Sequence, residues 1–211
     1  MSFVDVILER RSVRSGFRSE SIPSDHLQLI ADCGLAAPSS KAAQPWRLHL
    51  VTARNLLTQV AALVTAAEGG DAFVPIDPTT GAPHQWESTV VESADIFRAV
   101  PAAIFIENLG PFSGGRAHAA AAPAHLRQNM LIGYGLEYLG LGAAIENLQL
   151  AATALGYGTT FVGDIMIAAP GICDLFGMTG DLVGAVTIGR SDTPANPRRL
   201  ASDRLVYHTG E

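Results

Sequence analysis

Two amphipathic helical patterns fill the first 37 residues before any strand-like alternation begins at Arg47. That order excludes a chain built by regular βαβ repetition and points to an α+β architecture, in which helices segregate from a small sheet. Residues 2–11 read as a helix with Ser2 as cap and Val4, Ile7 and Leu8 on one face. A second helix is expected from Pro23-Ser24, with Ser24 as N-cap and Leu27, Ile30 and Gly34 on one face. Pro38 disfavours helical geometry at Ala37, so this helix stops there and Pro38-Ser39-Ser40 forms an extended turn.

The remainder alternates between compact elements and long connections. Residues 47–52 read as a strand, and a helix follows over about 54–67. Residues 69–86 are rich in Gly, Pro, Asp and Thr and form a long excursion, a kind of loop that is usually functional. The apolar run 102–106 is consistent with a buried strand, and a loop spans 110–123. The dominant helix is expected over about 124–155, with Leu141, Ile145, Leu148, Ala152 and Leu155 as its stripe. It carries Gly133, Gly135, Gly140 and Gly142, each costing about 1 kcal/mol relative to alanine. Such glycines indicate either a break or the close approach of another backbone; close packing, against a partner subunit, is the favoured reading. Strands at 159–162 and 182–188, with a helix around 168–177 between them, complete one domain spanning 1–211.

Composition narrows the function. The chain has 211 residues, 48% of them hydrophobic, which suits one domain with its own core. A net charge of −6 disfavours a nucleic-acid surface. Acidic and amide side chains interrupt the longest apolar region, 130–155, which argues against a membrane span. The N-terminal residues do not read as a signal peptide, and Cys33 and Cys173 read as buried reduced thiols; a cytoplasmic location is expected. The six histidines show no ligand spacing, so no metal site is expected.

Against this acidic background, Arg10, Arg11 and Arg14 with Ser12 concentrate positive charge within five residues. A guanidinium fork matches phosphate oxygens, so the segment can hold a phosphate, a polyol or an electron-rich ring edge; a solvated basic loop is the alternative. Five ordered segments then acquire joint meaning. They are Arg10–Arg14; Ala37-Pro38-Ser39-Ser40 with Gln44-Pro45-Trp46; Glu146–Ala152 with Ala154–Gly158; Phe161-Val162-Gly163; and Ile188-Gly189-Arg190 leading to Pro197-Arg198-Arg199. Together they resemble the FMN-dependent nitroreductase family along nearly the whole chain.

The resemblance implies an α+β fold with a small, mainly antiparallel sheet around a long central helix, and an intertwined homodimer with FMN at the subunit interface. It implies that Arg10 and Arg199 or Arg198 bind the FMN phosphate, that Ser12 assists and that Arg14 approaches the pyrimidine end. Pro38, Ser39 and Ser40 would reach the flavin of the other subunit, and Val162, Gly163 and Asp164 would lie beside the ring. Arg11, Gln44, Gly189 and Arg190 complete the expected cofactor set. The implied activity is oxidoreduction: NADH or NADPH reduces FMN, which then reduces a nitroaromatic, a quinone or a similar small aromatic or heterocyclic acceptor by a ping-pong mechanism. Oxidation of a peptide-derived or heterocyclic substrate, and non-catalytic flavin binding, are the alternatives.

The cofactor carries the redox chemistry, so no side chain is assigned an obligatory catalytic role. Asp164 reads as a proton donor beside the flavin or as a capping residue. Gly163 reads as a point of close approach or as a strand-end turn. Phe73, Trp86 and Phe112 read as stacking or packing residues. Two departures from the family pattern stand out: Gly140 occupies a position where many relatives carry Asp, and residues 69–123 match no family motif.

Overall fold

The computed structural model describes residues 2–70, 74, 76, 77, 79–82, 88–110, 121, 123–127 and 135–193. Helix α1 (Phe3–Glu9) opens on a reciprocal cap in which Ser2 and Asp5 satisfy each other's backbone N–H groups. Helix α2 (Ser24–Leu35) buries Leu27, Ile30 and Gly34, as its periodicity predicts. Its N-cap is Pro23, not Ser24. The Pro23 carbonyl accepts the first intrahelical bond, from the Leu27 N–H at 3.1 Å, which makes Ser24 the first helical residue. The helix also ends at Leu35, slightly before the expected stop.

Strand β1 (Trp46–Val51) and helix α3 (Arg54–Ala66) follow. Helix α4 (Thr89–Ala99) was not anticipated from the sequence. It carries a usable signal: Ser88 caps it by accepting from the Val90 N–H, and Val90, Ala94 and Phe97 recur at helical spacing. Strand β2 (Ala102–Asn108) comes next. Within the span expected for the dominant helix, the described residues form α5 (Ala124–Arg127) and α6 (Gly135–Ala154). Strand β3 (Gly158–Val162), a 3-10 turn at Asp164–Ala168, α7 (Ala169–Phe176) and β4 (Asp181–Gly189) complete the described chain.

The four strands pair antiparallel in the order β1-β2-β4-β3. Every residue of β2 is buried, because helices cover both faces of the sheet. Ala103 and Phe105 face a core built with α3, α4 and α7. Ala102, Ile104 and Ile106 face a second core with α2 and α6. Alternation therefore disappears from β2, and a continuous apolar run replaces it over 102–106, followed by buried Glu107 and Asn108.

Gly140 resolves in favour of close approach, but within its own chain. A Cβ there would lie 3.2 Å from the Trp46 ring and 3.4 Å from the Pro38 carbonyl oxygen. A Cβ at Gly142 would meet nothing within 4 Å among the described residues outside its own helical turn. Gly133 lies outside the described residues, as do Phe73, Trp86 and Phe112.

Candidate functional site

The Arg10–Arg14 segment is placed by the sheet. Beyond α1 the chain runs alongside β3, an edge strand: Ser12 pairs with Thr159, and the Val13 N–H donates to the Thr159 carbonyl at 2.8 Å. Val13 packs on Gly158, where a Cβ would come within 3.0 Å of it. The strap continues to a bridge between Phe17 and Ser191 and an Arg18–Asp192 ion pair. Short-range helix propensity delivers the arginines, and sheet-edge pairing orients them.

Arg14 reaches a cleft of about 730 Å³. The end of β3 and the following turn supply Thr160, Phe161, Val162, Gly163 and Asp164. Helix α4 supplies the opposite wall through Thr89, Glu92, Ser93 and Ile96. Sequence reasoning missed this second wall, because α4 was not read as a helix. Ser93 and Thr160 are 5% and 1% exposed, yet both line the cleft. Hydroxyl side chains in the wall of a cavity can bond to whatever enters it. The Arg14 side chain is exposed and makes no ion pair with the described residues, so its charge is available to a ligand.

Of the expected residues, Arg14, Val162, Gly163 and Asp164 line this cleft; the other described ones do not and have settings of their own. The Arg10 Nε donates to Glu146 Oε1 on α6 at 3.0 Å. Arg11 donates to the carbonyl oxygens of Leu8 and Arg10 and so closes the C-terminal end of α1. Gly163 has φ −89, a conformation open to any residue, and a Cβ there would approach the Phe161 ring at 3.4 Å. What glycine offers at this position is space beside the cleft, not backbone freedom.

Pro38, Ser39, Ser40 and Gln44 do not line the cleft. They form a tight turn against α6, near Gly140. The Gln44 N–H donates to Ser39 Oγ at 2.9 Å, and its side-chain amide donates to the Leu35 carbonyl at 3.2 Å. Lys41, Ala42 and Gln44 all have positive φ, a costly conformation for residues with a side chain. Gly189 lies beneath Phe17 and Pro101. Arg190 stacks 5.1 Å over the Tyr157 ring and pairs with Glu20 at 3.2 Å. Arg198 and Arg199 lie outside the described residues.

Among the described residues there is no cluster of side chains suited to a metal ion, and no helix is long and apolar enough to cross a membrane. The model of the nitroreductase family matches residues 7–190. The chain belongs to the nitroreductase family. Among proteins with curated functions, none matches this nitroreductase-family chain.

Solved structures share its fold. A BluB-like flavoprotein from Clostridium difficile 630 superposes with a TM-score of 0.75 at 22% identity, covering 100% of both chains. The NADPH:FMN oxidoreductase from Vibrio harveyi, solved with NAD+, gives 0.68 at 19% identity, covering 99% of this chain and 77% of that one. A nitroreductase from Desulfovibrio desulfuricans in complex with FMN gives 0.66 at 18% identity, covering 100% and 99%. The antiparallel α+β fold implied by the resemblance is thus the fold observed.

Proposed function

We propose that this nitroreductase-family chain is an FMN-dependent oxidoreductase that takes electrons from NADH or NADPH and passes them to a small aromatic or heterocyclic acceptor, such as a nitroaromatic or a quinone. The observation that carries this reading is the cleft in which Arg14 meets the Val162-Gly163-Asp164 turn, two segments 148 positions apart in sequence that the family pattern also pairs. Its residues fit a flavin. Phe161, Val162 and Ile96 offer apolar surface for a planar ring, Ser93 and Thr160 offer hydroxyl side chains, and Arg14 offers a cation.

FMN, when bound, supplies reversible two-electron chemistry, accepting hydride from a nicotinamide and returning electrons to the acceptor. The protein's own contribution is binding and electrostatics. Arg10, Ser12 and Arg199 or Arg198 hold the phosphate, while Arg11 steadies the end of α1 that carries Arg10. Arg14 sits at the pyrimidine end, where a cation favours electron uptake by offsetting the negative charge that reduction brings. Val162, Gly163 and Asp164 flank the ring, and Gly189 and Arg190 secure the strap that carries Arg14.

The Pro38–Gln44 turn lies apart from its own chain's cleft, which supports a homodimer in which Pro38, Ser39, Ser40 and Gln44 reach the flavin of the second subunit. Exposed apolar residues on α1 and α6 support the same assembly: Phe3, Val4, Ile7 and Leu8 on the first, Tyr138 and Leu139 on the second.

The test is the visible spectrum of the purified protein before and after anaerobic NADH or NADPH. A flavin spectrum that bleaches is expected, with the faster donor marking the preferred nicotinamide. A flavin spectrum that persists would favour oxidation of another substrate or flavin sequestration. A colourless protein that FMN does not reconstitute would sink the proposal.

A further inference from the structure

We infer that Glu146 is the positioning residue of Arg10, holding one edge of its guanidinium so that the terminal edge is presented to the cofactor phosphate. This rests on the proposed role of Arg10 in FMN binding. Arg10 is the C-cap residue of α1, a helix of only 7 residues, and its side chain must leave a short element that gives it little support. The support comes from α6, a helix of 20 residues and 136 positions away: Arg10 Nε donates to Glu146 Oε1 at 3.0 Å. The Arg10 side chain is 12% exposed and that of Glu146 40%. The bond thus joins a largely buried arginine side chain to a carboxylate at the protein's rim.

The geometry separates the two edges of the guanidinium. Nε is committed to Glu146, while Nη1 and Nη2 have no hydrogen-bond partner among the described residues. Two parallel N–H groups on a planar fork match two oxygens of a phosphate. A second tether fixes the same register. Gln149, one turn along α6, places its side-chain amide 3.5 Å from Thr159 Oγ1, and Thr159 is the residue to which Ser12 and Val13 pair. Asn147 meanwhile donates to the Cys33 carbonyl at 3.1 Å and ties α6 to α2. Helix α6 therefore templates the Arg10–Arg14 segment from Glu146 and from Gln149 while itself anchored from behind.

A partly exposed ion pair of this kind contributes little to folding stability, so variants at Glu146 remain folded. Their effect falls on Arg10, whose free rotation otherwise spreads the guanidinium over many rotamers.

The test measures dissociation constants of the apoprotein for FMN and for riboflavin, which lacks the phosphate, in wild type, Glu146→Ala, Glu146→Gln, Arg10→Ala and the Arg10→Ala/Glu146→Ala double variant. Glu146→Ala is expected to lower the preference for FMN over riboflavin by about tenfold, with riboflavin affinity unchanged. Glu146→Gln keeps a side-chain oxygen to accept from Nε and retains the preference to within about threefold. The double variant matches Arg10→Ala alone, because Glu146 acts only through Arg10. Equal weakening of FMN and riboflavin would mark Glu146 as merely structural and overturn the inference. So would an unchanged or tighter FMN preference in Glu146→Ala, the latter marking Glu146 as a competitor of the phosphate. An Arg10→Ala variant that keeps its FMN preference would remove the phosphate assignment itself, and the inference with it.

Discussion

At the scale of single residues, Glu107 shows how much one buried carboxylate can organise. It is fully buried on β2, where desolvation alone raises its pKa. His49 Nε2 lies 2.8 Å from Oε2, the Gly180 and Thr179 N–H groups donate to Oε1 at 2.6 and 2.7 Å, and Arg47 Nη1 approaches Oε2 at 3.2 Å. These donors outweigh burial and bring the pKa down from 4.5 to about 2. A depressed carboxylate stabilises the fold fully above its unfolded pKa and loses that contribution as pH falls towards its folded one. The window is therefore pH 4.5 down to about 2, and the contribution is about 3 kcal/mol at neutral pH. Urea unfolding at a series of pH values should show stability falling through that window. Glu107→Gln should be less stable at pH 7 by about 3 kcal/mol, with a flatter profile, since it leaves buried donors poorly matched. A parallel acid profile for both proteins would remove Glu107 as the cause.

At the scale of elements, the wall of the cleft depends on a glycine outside it. Gly184 on β4 has φ +147, and a Cβ there would lie 2.6 Å from the Phe161 ring and 2.7 Å from the Val162 carbonyl oxygen. It sits where the pairing of β2 with β4 shifts register, between Ile106 and Glu107. Gly184→Ala should cost at least about 2 kcal/mol in thermal or urea unfolding, and it should weaken flavin binding by pushing Phe161 and Val162 from their places. Unchanged stability would show that β3 yields more easily than its pairing suggests. The Ser39 turn makes a second case. Its hydroxyl accepts from the Gln44 N–H and helps hold three residues at positive φ. Ser39→Ala should lose about 1 kcal/mol and open the chain to trypsin after Lys41. Digestion no faster than wild type would place the restraint elsewhere, in the Gln44 contact with Leu35.

At the scale of the whole molecule, the sheet is closed on both faces while α1 leaves Phe3 and Val4 72% and 60% exposed. Exposed apolar side chains grouped on one short helix suit an interface. If two chains build each flavin site, assembly and cofactor retention are linked by mass action. Light scattering should give about twice the 22.1 kDa chain mass for the flavin-loaded protein. Phe3→Ser with Val4→Ser should shift it towards one chain mass and release flavin in parallel. A monodisperse monomer saturated with FMN would end the shared-site proposal.

Much of this molecule was legible in its sequence. The Ser2 cap, the Leu27, Ile30 and Gly34 face and the apolar run at 102–106 that opens β2 are set by nearest neighbours and by which residues prefer to leave water, and both are written along the chain. The Arg10–Arg14 and Phe161–Gly163 motifs were legible for the same reason, each being short and contiguous. Other features required the tertiary structure. Glu92 and Ser93 enter the cleft because α4 packs across from the end of β3. Arg10 meets Glu146 because α6 passes the end of α1, and Gly140 makes room for Trp46 of its own chain. Each joins residues tens of positions or more apart, and no local preference encodes such a meeting. It is fixed only when the sheet chooses its strand order and the helices settle on its two faces.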